Sequence, residues 1–136
     1  MEHIKDVMTQ NPTSCDPSTT VVEAAKVMAS EDVGSIPVVK DGRLVGMVTD
    51  RDIVLRALAE GRDPTSTTVG EIASSGLETL SPDDDLDAAL RKMASSQVRR
   101  LPVVEGDQLV GIVAQADVAR RGDDSETGQV VQEISR

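Results

Sequence analysis

Aromatic side chains are missing altogether: the 136 residues contain no Trp, Tyr or Phe. Bases therefore find no rings to stack on, which removes the means most single-strand binders use. Cysteine occurs once, at Cys15, and histidine once, at His3. A lone cysteine excludes an intrachain disulfide framework and a multi-cysteine zinc site. A lone histidine beside a terminus prone to fray removes Ser–His–Asp and Cys–His chemistry, which needs an imidazole on an ordered scaffold. Metal-assisted hydrolysis lacks its usual ligands too, so only a carboxylate mechanism stays open and no catalysis is expected. Basic residues are in the minority, 14 Lys and Arg against 24 Asp and Glu, for a formal charge of −10. A surface this acidic repels duplex DNA and anionic membranes unless a local patch reverses the sign. The longest apolar runs span five or six residues, far short of the roughly 20 that a membrane-spanning helix needs. Met1 leads into Glu2, His3 and Ile4 without a charged-then-apolar leader. These features point to a soluble cytoplasmic protein with no nucleic-acid or membrane partner.

What the sequence does contain is a duplication. Shifted by 65 residues, Val33-Gly34-Ser35-Ile36-Pro37-Val38-Val39 falls on Val98-Arg99-Arg100-Leu101-Pro102-Val103-Val104. Leu44-Val45-Gly46-Met47-Val48 falls on Leu109-Val110-Gly111-Ile112-Val113 without a gap. Pro17 meets Pro82, Met28-Ala29-Ser30 meets Met93-Ala94-Ser95, and Asp52 meets Asp117. Chance does not hold one register across separate blocks. Each copy is too small to bury its apolar face alone, so the two are expected to pack together about a pseudo-twofold axis.

Each copy reads as strand, helix, strand, strand, helix. Asp16-Pro17-Ser18-Thr19-Thr20 opens a first helix with proline in its favoured early position, and Val21, Ala24, Ala25 and Met28 form its apolar stripe. In the second copy Ser81-Pro82 opens the helix, and Leu86, Ala89, Leu90 and Met93 supply the stripe. Asp83, Asp84 and Asp85 are read as first-turn acids that complement the helix dipole. The Pro-Val-Val strands lead through Asp41-Gly42 and Gly106-Asp107 hairpin turns into Leu44–Thr49 and Leu109–Ala114. Both latter strands are nearly all apolar, so cover on both faces is expected. Ser14-Cys15 and Thr79-Leu80 can each add a short strand, and helices restart at Asp50 and Gln115. Short helical lead-ins occupy Ile4–Met8 and Val69–Ala73, residues 61–68 form a linker, and Val130, Val131 and Ile134 mark a last short helix after a polar tail.

Two β-α-β-β-α copies, each with a Pro-Val-Val strand and a Gly-apolar-apolar-x-x-x-Asp junction, resemble cystathionine-β-synthase (CBS) domains. Gly46-Met47-Val48-Thr49-Asp50-Arg51-Asp52-Ile53 is a particularly good match to that family's nucleotide-site motif. The resemblance implies an α+β (α/β) fold in which the two repeats form one Bateman module. The expected division is repeat one at 1–60, linker at 61–68, repeat two at 69–122 and tail at 123–136, of the stand-alone class without an attached enzyme.

At the junction, Thr49 stands at a helix N-terminus, where free N–H groups and the dipole favour an anion. Three residues on, the Asp52 carboxylate is placed to accept from ribose hydroxyls, much as an acid does in Rossmann folds. The competing reading needs no ligand: Thr-x-x-Asp at a helix start has the pattern of a capping box. The second copy replaces the threonine by Ala114 but keeps Asp117. Both readings stay open from spacing alone.

The resemblance implies that basic residues just before one repeat's Pro-Val strand meet phosphates held at the other repeat's Thr and Asp. Those positions are Arg99 and Arg100 in repeat two, but Gly34 and Ser35 in repeat one. One phosphate-binding site is therefore expected, built from Thr49, Arg51, Asp52, Arg99 and Arg100; arginine forks bind phosphate in a bidentate way. The resemblance also implies that Thr13, Ser14, Cys15, Ile36 and Pro37 grip adenine with aliphatic and backbone groups. A weaker second site would comprise Asp117, Thr79, Leu101 and Pro102, without a cation. Cys15 aligns with Leu80 and is read as a small core residue. The ligand implied is an adenine nucleotide (AMP, ADP, ATP or NAD), S-adenosylmethionine fitting the arginines less well; no obligatory cofactor and no metal are expected. The implied partners are a second copy, joined through helices, and an unidentified downstream protein. A ligand-free dimeric scaffold acting through protein contact is the alternative.

Overall fold

In the computed structural model, which describes residues 2–75 and 77–119, the elements run α1 (Ile4–Val7), β1 (Thr9–Gln10), α2 (Val21–Glu31), β2 (Ser35–Lys40), β3 (Arg43–Thr49) and α3 (Asp50–Asp52). A π-helical stretch (Ile53–Leu58) continues α3; then come α4 (Val69–Ile72), α5 (Leu86–Ser96), β4 (Arg100–Glu105), β5 (Gln108–Ala114) and α6 (Gln115–Ala119). The fold is mixed α and β with antiparallel strand pairs, as the repeat pattern predicts. The helix expected around Val130, Val131 and Ile134 and the polar tail before it lie outside the described residues.

Packing cuts the chain differently from the repeat. One compact unit is Thr13–Leu77; the other combines Met1–Pro12 with Glu78–Arg136. Each lead-in helix thus belongs to the unit that carries the other copy. The causes are hydrogen bonds and burial at each end. The N–H groups of Ile4 and Lys5 donate to the carbonyls of Asp84 and Pro82 at 2.8 and 2.9 Å, and the Ile4 side chain is fully buried there. Val69 and Gly70 donate in the same way to Thr19 and Pro17, at 2.8 and 2.9 Å, and Val69 is fully buried. The expected linker is part of this packing: Val21 N–H donates to the Thr67 carbonyl at 2.8 Å, and Thr67 is buried.

Within Thr13–Leu77, β2 and β3 pair from Ser35↔Thr49 to Lys40↔Arg43, with a bulge between Val38 and Val39. Asp41 and Gly42 both take positive φ, 54° and 81°, the mark of the type I′ turn that matches strand twist. Helix α2 starts where the Thr20 hydroxyl accepts from the Glu23 N–H at 3.2 Å. Its Val21, Ala24 and Met28 pack on Ile36, Val38, Val48, Ile53 and Ala57. The other unit repeats this plan. There β4 and β5 pair from Arg100↔Ala114 to Glu105↔Gln108 with the bulge between Val103 and Val104. Only Gly106 has positive φ in its turn, a type II′ pattern. Asp85 caps α5 by accepting from Ala88 N–H at 2.8 Å, and Leu86, Ala89, Leu90 and Met93 enter the core beside Ile4, Leu80 and Val113.

Several local expectations shift. The helices begin at Val21 and Leu86, so Pro17 and Pro82 lie in preceding turns instead of in the first helical turn. Asp16 accounts for this: its Oδ1 accepts from both the N–H and the hydroxyl of Ser18, at 2.9 and 2.7 Å, closing a turn that competes with helix. The acid triplet likewise precedes its helix; Asp83 pairs with Lys5 at 3.0 Å, Asp84 accepts from Ser81 N–H at 2.9 Å, and Asp85 alone caps. The β3 strand is covered only in its second half, and Val45 remains 47% exposed. The extra strands reduce to single parallel bridges, Cys15↔Val38 and Leu80↔Val103.

A Cβ on Gly46 would stand 2.8 Å from the Ser74 carbonyl oxygen, because Met47 and Ser74 exchange backbone hydrogen bonds at 3.0 and 2.9 Å. Gly111 plays the same part for Thr9, whose carbonyl oxygen would lie 3.0 Å from its Cβ, and Thr9 pairs with Ile112. The glycine between the apolar residues of each β-strand thus admits the end of a lead-in segment.

Candidate functional site

The β3–α3 junction is the best-defined polar feature of Thr13–Leu77. Thr49 ends the strand in extended conformation and caps the helix: its Oγ1 accepts from Asp52 N–H at 3.0 Å, and Asp52 Oδ2 accepts from Thr49 N–H at 3.0 Å. The capping reading of Thr-x-x-Asp is realised in full. Asp52 is nonetheless only 9% exposed, an unusual place for a carboxylate. Its other oxygen, Oδ1, lies 3.8 Å from Arg56 Nε, and the Arg56 Nη1 donates to the Ile72 carbonyl at 3.2 Å. A carboxylate offers about four lone-pair sites, so acceptor capacity remains after one N–H bond and one distant cation. Arg56 was not among the expected site residues; its signal in the sequence is the i,i+4 spacing from Asp52.

The other expected residues of this unit divide into groups. Ser35 is the register partner of Thr49, and the Gly34 carbonyl accepts from Asp50 N–H at 2.9 Å. Arg51 is exposed at the junction, its N–H bonded to Asp50 Oδ1 at 2.8 Å. Cys15 and Pro37 are joined: Cys15 N–H donates to the Pro37 carbonyl at 3.0 Å, and Val39 N–H to the Cys15 carbonyl at 2.8 Å. Ile36 is fully buried in the core, and Pro37 is buried too. Ser14 is exposed, and Thr13 turns to α2, its hydroxyl donating to Glu31 Oε1 at 2.6 Å. Burial, reinforced by the Asp16 charge, pushes the Cys15 thiol up to about 11, which agrees with a packed, unreactive cysteine.

The unit containing Glu78–Arg136 carries the other expected residues. Its junction keeps half of the box: Asp117 Oδ2 accepts from Ala114 N–H at 3.2 Å, and no hydroxyl answers. Arg99 is exposed and its carbonyl accepts from Gln115 N–H at 2.7 Å; Arg100 is half-buried opposite Ala114. Leu101 and Pro102 are buried, and the Pro102 carbonyl accepts from Leu80 N–H at 3.0 Å. Thr79 lines an open depression of about 480 Å³ with Asp84, Lys92 and Glu105. The Lys92 ammonium there is already held by the Thr79 carbonyl at 2.6 Å. Gln115 is a further feature of this junction: its Nε2 is buried without a hydrogen-bond partner among the described residues. An unsatisfied buried amide costs about 1–3 kcal/mol, so a donor is on offer beside Ala114. The signal was the replacement of Asp50 by Gln115 across the repeat.

Among the described residues, no three His, Cys, Asp or Glu side chains gather as cation ligands, and no helix is long and apolar enough to cross a membrane.

Comparison with known proteins places these features in context. The chain is 47% identical over 119 residues to the CBS domain-containing protein YhcV of Bacillus subtilis, covering 88% of this chain and 84% of that one. It is 40% identical over 121 residues to hypoxic response protein 1 of Mycobacterium tuberculosis, covering 88% and 85%. The crystal structure of Hypoxic Response Protein I, described with two coordinated zinc ions, superposes with a TM-score of 0.83 at 38% identity, over 90% of this chain and all of that one. The CBS domain pair of MJ0100 in complex with 5-methylthioadenosine and S-adenosyl-L-methionine gives 0.76 at 30% identity, over 88% of this chain and 94% of that one. CBSX2 in complex with AMP gives 0.75 at 27% identity, over 88% and 95%. The model of the CBS domain matches twice, at residues 4–58 and 69–124, and the chain belongs to the CBS-domain family as a tandem pair.

Proposed function

We propose that this tandem CBS pair is a regulatory module that binds an adenine nucleotide (AMP, ADP, ATP or NAD) without turning it over. Its occupancy is passed to a downstream protein by linkage, for which a coupling of about 1–3 kcal/mol suffices. The observation that carries the reading is the AMP complex of CBSX2, a relative in fold over 88% of this chain. The Thr49–Asp52 junction adds support, since a buried carboxylate with unused acceptor sites suits a ribose diol. In this reading Asp52 accepts from the ribose, and Thr49 and the junction N–H groups favour the anion. Arg51, Arg99 and Arg100 supply the charge that offsets a chain of −10 near the phosphates. The Ala114–Asp117 junction, without a hydroxyl, takes an uncharged nucleoside or stays empty. The module works as a homodimer.

Titration calorimetry with AMP, ADP, ATP, NAD and S-adenosylmethionine tests this. Binding of an adenine nucleotide is expected, together with ligand-dependent thermal stabilisation. The Asp52→Ala variant and the Arg99→Ala/Arg100→Ala pair should each weaken it more than tenfold, with little effect of Asp117→Ala. Heat signals flat for every nucleotide would sink the sensor and favour a ligand-free scaffold; phosphate release from ATP or ADP would make the chain an enzyme.

A further inference from the structure

The lead-in α1 and the short β1 close onto the second copy's unit through one sulfur. Met8 ends α1, its N–H donating to the Ile4 carbonyl at 2.9 Å, and its side chain packs against the cluster that holds Ile4, Leu80 and Val113. Its Sδ lies so close over Gly111 that a Cβ added there would meet it at 2.5 Å. No room is left between that sulfur and the strand for a further atom. The other copy makes the same joint without sulfur. Ala73 stands at the register of Met8, and its Cβ would lie 3.5 Å from one on Gly46. The repeat plan therefore does not demand a thioether at this contact.

Exposure singles Met8 out. Met28, Met47 and Met93 are buried, 7%, 7% and 0% exposed, whereas Met8 is half-buried, the one methionine among the described residues that solvent reaches. A hydroperoxide meets it first. The sulfur lone pair attacks one peroxide oxygen, the O–O bond breaks, an S–O bond forms and water leaves; the thioether is oxidised and the peroxide reduced. The product is bulkier and polar where Met8 touches Gly111 and the apolar cluster, and sulfoxides disrupt such packing. Besides the buried Ile4 side chain, what holds the segment is modest. It comprises the backbone bonds of Ile4 and Lys5 at 2.8 and 2.9 Å, the exposed Lys5–Asp83 pair at 3.0 Å, and Thr9 and Gln10 on β5.

We propose that Met8 is an oxidation site for hydroperoxides and that its sulfoxide releases residues 4–10 from the unit that carries the second copy. The module thereby gains an oxidant input separate from the nucleotide. Reduction of the sulfoxide returns the segment to its place. Neither step involves the Thr49–Asp52 junction, so the switch operates whether or not a nucleotide binds there.

Hydrogen peroxide treatment of the full chain without nucleotide, read by peptide mass spectrometry and hydrogen–deuterium exchange, tests the site. Met8 should gain oxygen at least about tenfold faster than Met28, Met47 or Met93. Exchange over residues 4–10 should then quicken about tenfold or more, with α5 unchanged, and Tm should fall by about 4 °C. Methionine sulfoxide reductase should reverse both changes. A Met8→Leu chain keeps Cys15 and the other methionines, and the same peroxide should leave its exchange and Tm as they were. Buried methionines oxidised as fast as Met8, exchange unmoved by the Met8 sulfoxide, or a folded Met8→Leu chain that loses protection like the parent would overturn the proposal. Should Met8→Leu not fold, the parent's own sulfoxide, formed and then reduced, decides the matter by the same exchange readout.

Discussion

Replacing Asp52 separates capping from ligand binding, because the two roles ask different things of its side chain. Asp52→Ala removes the acceptor for Thr49 N–H at 3.0 Å and so dismantles half of the box. Loss of a cap costs about 0.5–2 kcal/mol. The Arg56 pairing adds at most a few tenths, since its nitrogen stands 3.8 Å away and the arginine is 55% exposed. A total of about 1.5 kcal/mol lowers Tm by about 6 °C in a chain of this size. Asp117→Ala should cost less, about 0.5 kcal/mol or 2 °C, because its bond to Ala114 N–H is longer at 3.2 Å and alanine has no hydroxyl to complete the box. Asp52→Asn is the diagnostic variant. It keeps an acceptor for the cap, so stability should stay within about 0.5 kcal/mol of the parent. It removes the charge, so hydrogen bonds to ribose drop from the charged to the neutral class and affinity falls about fivefold to tenfold. Without Trp or Tyr for fluorescence, the unfolding readout is circular dichroism or calorimetry. Equal losses for Asp52→Ala and Asp117→Ala, or an Asp52→Asn variant as unstable as Asp52→Ala, would refute the reasoning.

Two other outcomes follow from packing. Gly46→Ala should cost more than 2 kcal/mol by chemical denaturation, because its Cβ meets the Ser74 carbonyl at 2.8 Å and that backbone cannot retreat without breaking two hydrogen bonds; Gly61→Ala, with φ of 72° but nothing within 4 Å, should cost only about 1 kcal/mol. The Cys15 thiol, raised by burial from 9.0 to about 11, should react with a disulfide reagent at pH 8 about a hundredfold more slowly in the folded chain than in denaturant. Since the fold favours the neutral thiol, the stability it lends is complete below pH 9 and disappears as pH rises toward 11; equal reaction rates, or no decline in that window, would contradict the burial seen here.

Local chemistry made much of this legible beforehand. The helical stripe of Val21, Ala24 and Met28, the Asp41-Gly42 turn and the Thr49–Asp52 box all depend on residues no more than four positions from the next, and all are present. The helices start later than the proline pattern predicts because an Asp16–Ser18 turn outcompetes a proline-led first turn, a contest between two local options of similar energy. The π-helical stretch has no pattern in the sequence, since Ile53, Val54, Leu55 and Leu58 suit an α-helix as well.

By itself the amino-acid order determined that there are two copies, that each contains a helix followed by a β-hairpin, and that the second junction lacks the hydroxyl of the first. Only tertiary structure decided that each lead-in helix completes the other copy's unit, that β3 leaves Val45 in solvent, and that Asp52 is buried while Arg51 is not. The division has a physical reason. Capping, turns and periodicity are set by neighbours along the chain, whereas burial depends on partners such as Ser74 for Gly46 and Asp84 for Ile4, whose distance in sequence carries no local mark.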